Sequence, residues 1–147
     1  VVFVSVQQVT KKAFNMKVAG GAMSFSAASC VAAVVVFLIT SGENMAIHAA
    51  ANIAMAVENF KGRGYATLGG IILNRRNVRD EDAKVAELAS DIHSEVIGEL
   101  SRSETVTDAE DLGKTVIEAF PDSEMADEYR KLAKKLLEIC NSGMRLC

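Results

Sequence analysis

A chain of 147 residues, half of them apolar, can bury about two thirds of the surface its unfolded form would expose, so a single domain with its own core is expected. A net charge of −3 gives no electrostatic case for nucleic acid or an anionic membrane as partner. Cys30, Cys140 and Cys147 are an odd set without C-x-x-C spacing, which argues against a disulfide framework or a zinc site and for reduced thiols in the cytoplasm.

At the start of the chain, "VVFVSV" reads as a strand, and the residues after it have no clean period of either kind. No charge occurs between Lys17 and Glu43, a gap long enough for a membrane span. Gly20, Gly21, Ser24, Ser26, Ser29 and Gly42 interrupt it, however, and leave an apolar run over 30–39 of about half a bilayer crossing. That valine-rich run predicts a strand over 34–39 buried on both faces. It is not a signal peptide, because it starts late and lacks a basic leader and cleavage site.

Thr40 and Glu43 then have capping-box spacing, and a helix carrying Met45, Ala49, Ile53, Val57 and Phe60 on one stripe is expected. Gly62 and Gly64 stop it. "ATLGGIIL" predicts a second strand over 66–73, with Gly69 and Gly70 allowing a neighbouring backbone to come close and Asn74 at the carboxyl end. Asp80 is a candidate cap for a helix with Val85, Leu88, Ala89 and Ile92 on one face. "EVIGEL" predicts a third strand ending near Leu100, followed by a polar turn over 101–104 and a short helix over 106–112. After Pro121, with Asp122 or Ser123 as cap, a last helix buries Met125, Tyr129, Leu132, Ala133, Leu136, Leu137 and Cys140, and the tail "NSGMRLC" frays. Strands alternating with amphipathic helices predict an α/β fold: a parallel sheet with crossover helices.

Gly113, Lys114 and Thr115 spell the end of a phosphate-binding loop. That loop needs G-x-x-x-x-G-K-[ST] between a strand and a helix, so that backbone N–H groups can wrap the phosphates. The leading glycine would be residue 108, which is Asp108, and a carboxylate there repels the ligand. "TVIEAF" reads as an extended piece. Gly113 is therefore taken as a helix stop and Lys114 as a solvated side chain.

"ITSGENMAIHAAANIAMAVENF", "LGGIILNRRNV", "GELSRSETV" and "KTVIEAFPDSEMADEYRKLA" occur in this order and spacing in the carboxyl-terminal half of the nitrogenase iron protein family, which the chain resembles over 39–137. The segment 1–38 matches poorly, so the 147 residues are read as one partial domain of this kind. The resemblance implies a partial P-loop NTPase-like fold in a homodimer. It further implies MgATP in each subunit, one 4Fe-4S cluster between subunits, and electrons passed singly to a larger metalloenzyme. Related reductases serve tetrapyrrole biosynthesis, so the acceptor does not follow from the fold.

Three residues match family positions beside the adenine. Asn74 follows the "GG-I-x-x-N" strand, and its amide can both donate to and accept from a purine edge. Arg102 keeps the arginine of a "P-R-D/S" turn whose proline is here Ser101, and Tyr129 matches the tyrosine of "ADEYR". On residue type alone Asn74 reads as a turn residue, Arg102 as a surface charge and Tyr129 as part of a helix core face. His48 and His93 have no partner at metal-ligand spacing and read as structural.

The family's phosphate loop and first cluster cysteine have no counterpart in these residues. Aligning its second cluster motif, "D-x-x-x-D-V-V-C-G-G", on Gly20 and Gly21 puts Ala19 at the cysteine and Met16 and Lys12 at the aspartates. An alanine methyl cannot bind iron, and a lysine cannot hold Mg²⁺. Cys30 lies in the apolar run, where burial disfavours the thiolate. No catalytic or metal-binding residue is assigned. The expectation is part of an ATP-dependent iron-sulfur reductase, the chain itself inactive; the alternatives are a non-catalytic nucleotide-dependent binding or dimerisation module, or a tetrapyrrole reductase subunit.

Overall fold

A computed structural model describes residues 2–9, 13–19, 34–61 and 66–143. In chain order these form β1 (Val2–Val9), β2 (Ala13–Ala19), β3 (Val34–Thr40), α1 (Asn44–Lys61), β4 (Ala66–Asn74), α2 (Glu81–Asp91), β5 (Val96–Leu100), α3 (Glu104–Asp111), α4 (Val116–Ala119) and α5 (Glu124–Gly143). The strands make one sheet in the order β2-β1-β3-β4-β5. β3, β4 and β5 are parallel and are joined by α1 and α2, as the alternation of strand and helix patterns predicts. The sheet is mixed, because β1 lies antiparallel to both β2 and β3. Residues 2–6 of the predicted strand "VVFVSV" lie within β1 and Val1 lies outside the described residues, whereas β2 forms where the sequence has no legible period.

The continuous apolar run of β3 is explained by helices on both faces of the sheet. Phe37 joins Ile72, Leu100, Ala109, Val116, Met125 and Ala126 on the face covered by α3, α4 and α5. Val36 and Leu38 point the other way and pack with Ala54 and Val57 of α1, while Ile71 and Leu73 meet Ala50 together with Val85, Leu88 and Ala89 of α2. Successive side chains of a strand alternate faces, so the two cores share one sheet. Among the described residues, no helix is long and apolar enough to cross a membrane.

Register shifts where Val36 pairs with Leu68 but Phe37 pairs with Gly70, leaving Gly69 as the extra residue of a bulge. A Cβ on Gly69 would lie 2.6 Å from side-chain atoms of Val35 and Phe37, and one on Gly70, at φ 139°, 2.5 Å from Ile97 Cγ2. The two glycines thus admit neighbouring side chains rather than a neighbouring backbone.

Several sequence expectations are corrected. Met45 is 82% exposed, whereas Val57 of the predicted stripe is buried with Ala50 and Ala54, and Ile53 and Phe60 pack against that core. The Thr40 hydroxyl donates to the Ser41 carbonyl instead of capping α1, and the first α1 bond runs from Ile47 N–H to the Glu43 carbonyl. Asp80 has φ 57° and makes no side-chain cap on α2. "TVIEAF" is not extended: it holds α4, closed by a capping box in which Thr115 and Glu118 each bond the other's backbone N–H. Leu137 and Ala133 of α5 are exposed, while Met125 and Ala126 are buried and Tyr129, Leu132, Leu136 and Cys140 are half-buried. α5 runs on through Gly143, beyond the start of the expected fraying; residues 144–147 lie outside the described residues, as do Lys12, Cys30 and Cys147.

Candidate nucleotide-base site

β3, β4 and β5 all end at one edge of the sheet, the edge where parallel α/β folds bind ligands. Asn74 pairs across the ladder with Leu100, and the next N–H, that of Arg75, donates to the Leu100 carbonyl at 2.9 Å. Beyond Leu100 the chain is fastened twice. Ser101 donates from its N–H to Glu128 Oε2 at 2.8 Å and from its hydroxyl to Glu128 Oε1 at 2.7 Å. Two residues later Ser103 caps α3, accepting from Thr105 N–H.

Arg102 sits between these fixed points, and Tyr129 follows Glu128 on α5. Backbone connections therefore bring Asn74 to the ladder position beside Leu100 and tie the Arg102 loop onto the first turns of α5. The side chains of Asn74 and Arg102 are exposed and that of Tyr129 is half-buried. Among the described residues the Asn74 amide, the Arg102 guanidinium and the Tyr129 hydroxyl make no hydrogen bond or ion pair, which leaves all three free to meet a ligand. Burial chiefly, then the charges of Glu110 and Glu128, push the Tyr129 phenol above its ordinary range, so it is a neutral hydrogen-bond donor at neutral pH.

Asn74, Arg102 and Tyr129 line neither of two shallow depressions among the described residues. One shallow depression of about 440 Å³ lies at the far end of α5, among Val35, Thr67, Gly69, Lys135, Ile139 and Ser142. Another, of about 470 Å³, lies by the start of α1, among Gly42, Met45, Val78 and Lys84.

Sequence reasoning passed over the residues that hold this edge together. Glu81 is 5% exposed and accepts from Gly42 N–H at 3.2 Å and Arg76 N–H at 3.0 Å, bridging the loops after β3 and β4. Arg75 Nη1 stands 3.9 Å from Glu81 Oε2. The same guanidinium reaches Asp82 at 2.8 Å and Glu99 at 2.6 Å, and these two partners raise its pKa further. A signal for Glu81 existed: it precedes Val85 by four residues and Leu88 by seven, which places a carboxylate on the buried stripe of α2. Glu128 gave no such signal, because its partner is 27 residues away in sequence.

Gly113, at φ 64°, is the left-handed residue that ends α3: its N–H bonds the Glu110 carbonyl and the Lys114 N–H the Ala109 carbonyl, the Schellman pattern. Asp108 lies within α3, so a helix rather than a strand precedes the Gly-Lys-Thr triplet, and Lys114 is exposed. His93 ends α2 in the same way, at φ 51°, and His48 is exposed on α1.

A family model described as 4Fe-4S iron sulfur cluster binding proteins, NifH/frxC family, matches residues 16–143. The chain belongs to that family. Its α/β fold is part of a P-loop NTPase-like one. Among curated relatives, "Nitrogenase iron protein 2" of Methanothermobacter thermautotrophicus is 48% identical over 101 residues, 69% of this chain and 37% of the relative. "Nitrogenase iron protein 2" of Methanobacterium ivanovii is 46% identical over the same shares, and "Nitrogenase iron protein" of Methanococcus voltae 40% over 70% of this chain and 37% of its own. This NifH/frxC family chain thus spans little more than a third of the length of the relatives it matches.

Iron-sulfur clusters are held by cysteine thiolates, and the described residues do not fit one. Cys140 is half-buried on α5, where burial pushes its thiol up, and no group of three or more metal-ligating side chains forms among the described residues. The aligned position of the cluster cysteine, Ala19, falls at the end of β2.

Proposed function

We propose that this chain is the adenine-side part of an ATP-dependent iron-sulfur reductase of the nitrogenase type, with Asn74, Arg102 and Tyr129 as base contacts. The whole protein is a cytoplasmic homodimer that delivers low-potential electrons to a larger metalloenzyme. The observation that carries the reading is the joining, at the carboxyl edge of a parallel sheet, of segments bearing three polar side chains without internal partners among the described residues. An amide and a phenol can bond the edge of a purine while an arginine lies over its face or against a nearby phosphate.

The phosphate side is supplied by other parts of the protein. Phosphoryl transfer depends almost wholly on positioning and electrostatic stabilisation of the phosphates, so base contacts give weak binding and no turnover. Iron and sulfide determination on the whole native protein, with an assay for ATP-dependent reductant activity, tests the enzyme reading: a cluster and such activity are expected. Their absence would favour a non-catalytic nucleotide-dependent binding or dimerisation module. The chain alone is expected to show no ATPase, and measurable turnover would contradict this assignment.

A further inference from the structure

Glu128 is the side chain through which the β5–α3 loop and α5 are joined. Both of its oxygens are used, one on the Ser101 N–H at 2.8 Å and one on the Ser101 hydroxyl at 2.7 Å. Charge-assisted bonds of this length to two separate donors fix an orientation as well as a distance. The next residue on each side of this junction is a proposed base contact, Arg102 after Ser101 and Tyr129 after Glu128. Arg102 is further held by the Ser103 cap, so its backbone is fastened before and after while its guanidinium stays unpaired among the described residues.

An exposed serine and a half-buried glutamate at the surface gain little net stability from bonding each other. What the pair does achieve is to set one loop against one helix at the place where a ligand would have to touch both. We propose that Glu128 is a positioning residue for purine recognition, its carboxylate fastening the Ser101 loop to α5 so that Arg102 and Tyr129 are presented together to one base. This rests on the base-site reading above and adds the element that organises it.

The test is calorimetric titration of the full chain and its variants with ADP and with GDP, alongside thermal unfolding. Glu128→Ala is expected to weaken ADP binding by about five- to tenfold and to narrow the preference for ADP over GDP. Glu128→Gln keeps both bonds, its carbonyl accepting from the Ser101 N–H and its amide donating to the Ser101 hydroxyl, and is expected to bind within about twofold of the unaltered chain. Ser101→Ala, which keeps the N–H bond alone, should fall between them. Unchanged ADP affinity and base preference in Glu128→Ala, or equal weakening in Glu128→Gln, would overturn the positioning role while leaving the base site standing. No ADP binding by the unaltered chain would overturn the base site and this role with it.

Discussion

Glu81 brings a carboxylate into a site 5% exposed and satisfies it with two backbone N–H donors from different loops. Removing the carboxylate leaves those donors buried and unpaired, so Glu81→Ala is expected to lower unfolding free energy by about 3 kcal/mol in urea titrations. Arg75→Ala, whose hydrogen-bonded partners Asp82 and Glu99 are exposed and whose approach to the buried Glu81 is long at 3.9 Å, should cost about 1 kcal/mol in the same assay. Gly42 is part of the same fit, since a Cβ there would stand 2.6 Å from Glu81 Cγ and 2.7 Å from its Cα. His93 occupies a left-handed position that glycine adopts without strain, so His93→Gly is expected to raise stability by about 1 kcal/mol, read as a higher urea midpoint. At this scale the sequence was legible where a residue's partner lies within a helical turn or two. It was silent on Glu128, whose partner Ser101 comes near only when the sheet forms.

The α3–α4 segment shows how one short stretch supports opposite readings. "TVIEAF" looks extended because valine, isoleucine and phenylalanine favour strands, yet Thr115 and Glu118 close a capping box that starts a helix. The capping signal was present in the spacing T-x-x-E, and the apolar letters outweighed it. A methyl group added at Gly113 would meet open space, but the backbone there has a φ of 64°, so Gly113→Ala should cost about 1 kcal/mol through backbone strain alone, without lowering ADP affinity. Thr115's backbone and hydroxyl bonds hold the Glu118 carboxyl below its usual range. A lowered folded pKa contributes stability that is present above the unfolded value and lost as pH falls through the folded one. The urea midpoint of the unaltered chain should therefore exceed that of Glu118→Gln at neutral pH, and the gap should close in acid.

Across the whole molecule, the parallel sheet was legible from 34 onward because strands buried on both faces and helices buried on one have different periods. The β1–β2 hairpin was half legible: "VVFVSV" has strand letters, while Ala13–Ala19 carries asparagine and lysine among its apolar residues. The proposed base contacts rest on resemblance, since an exposed asparagine and arginine have no pattern that separates a binding residue from a solvated one. What the fold adds is a reason for these residues to act together, because β4, the loop after β5 and the start of α5 meet at one edge. The most direct test is amide chemical-shift mapping of the isotopically labelled chain during titration with ADP. The account predicts that the largest shifts fall at Asn74, Ser101, Arg102 and Tyr129, with GDP producing smaller ones. Shifts confined to other parts of the molecule, such as the start of α1 or the far end of α5, or no shifts at all, would contradict it.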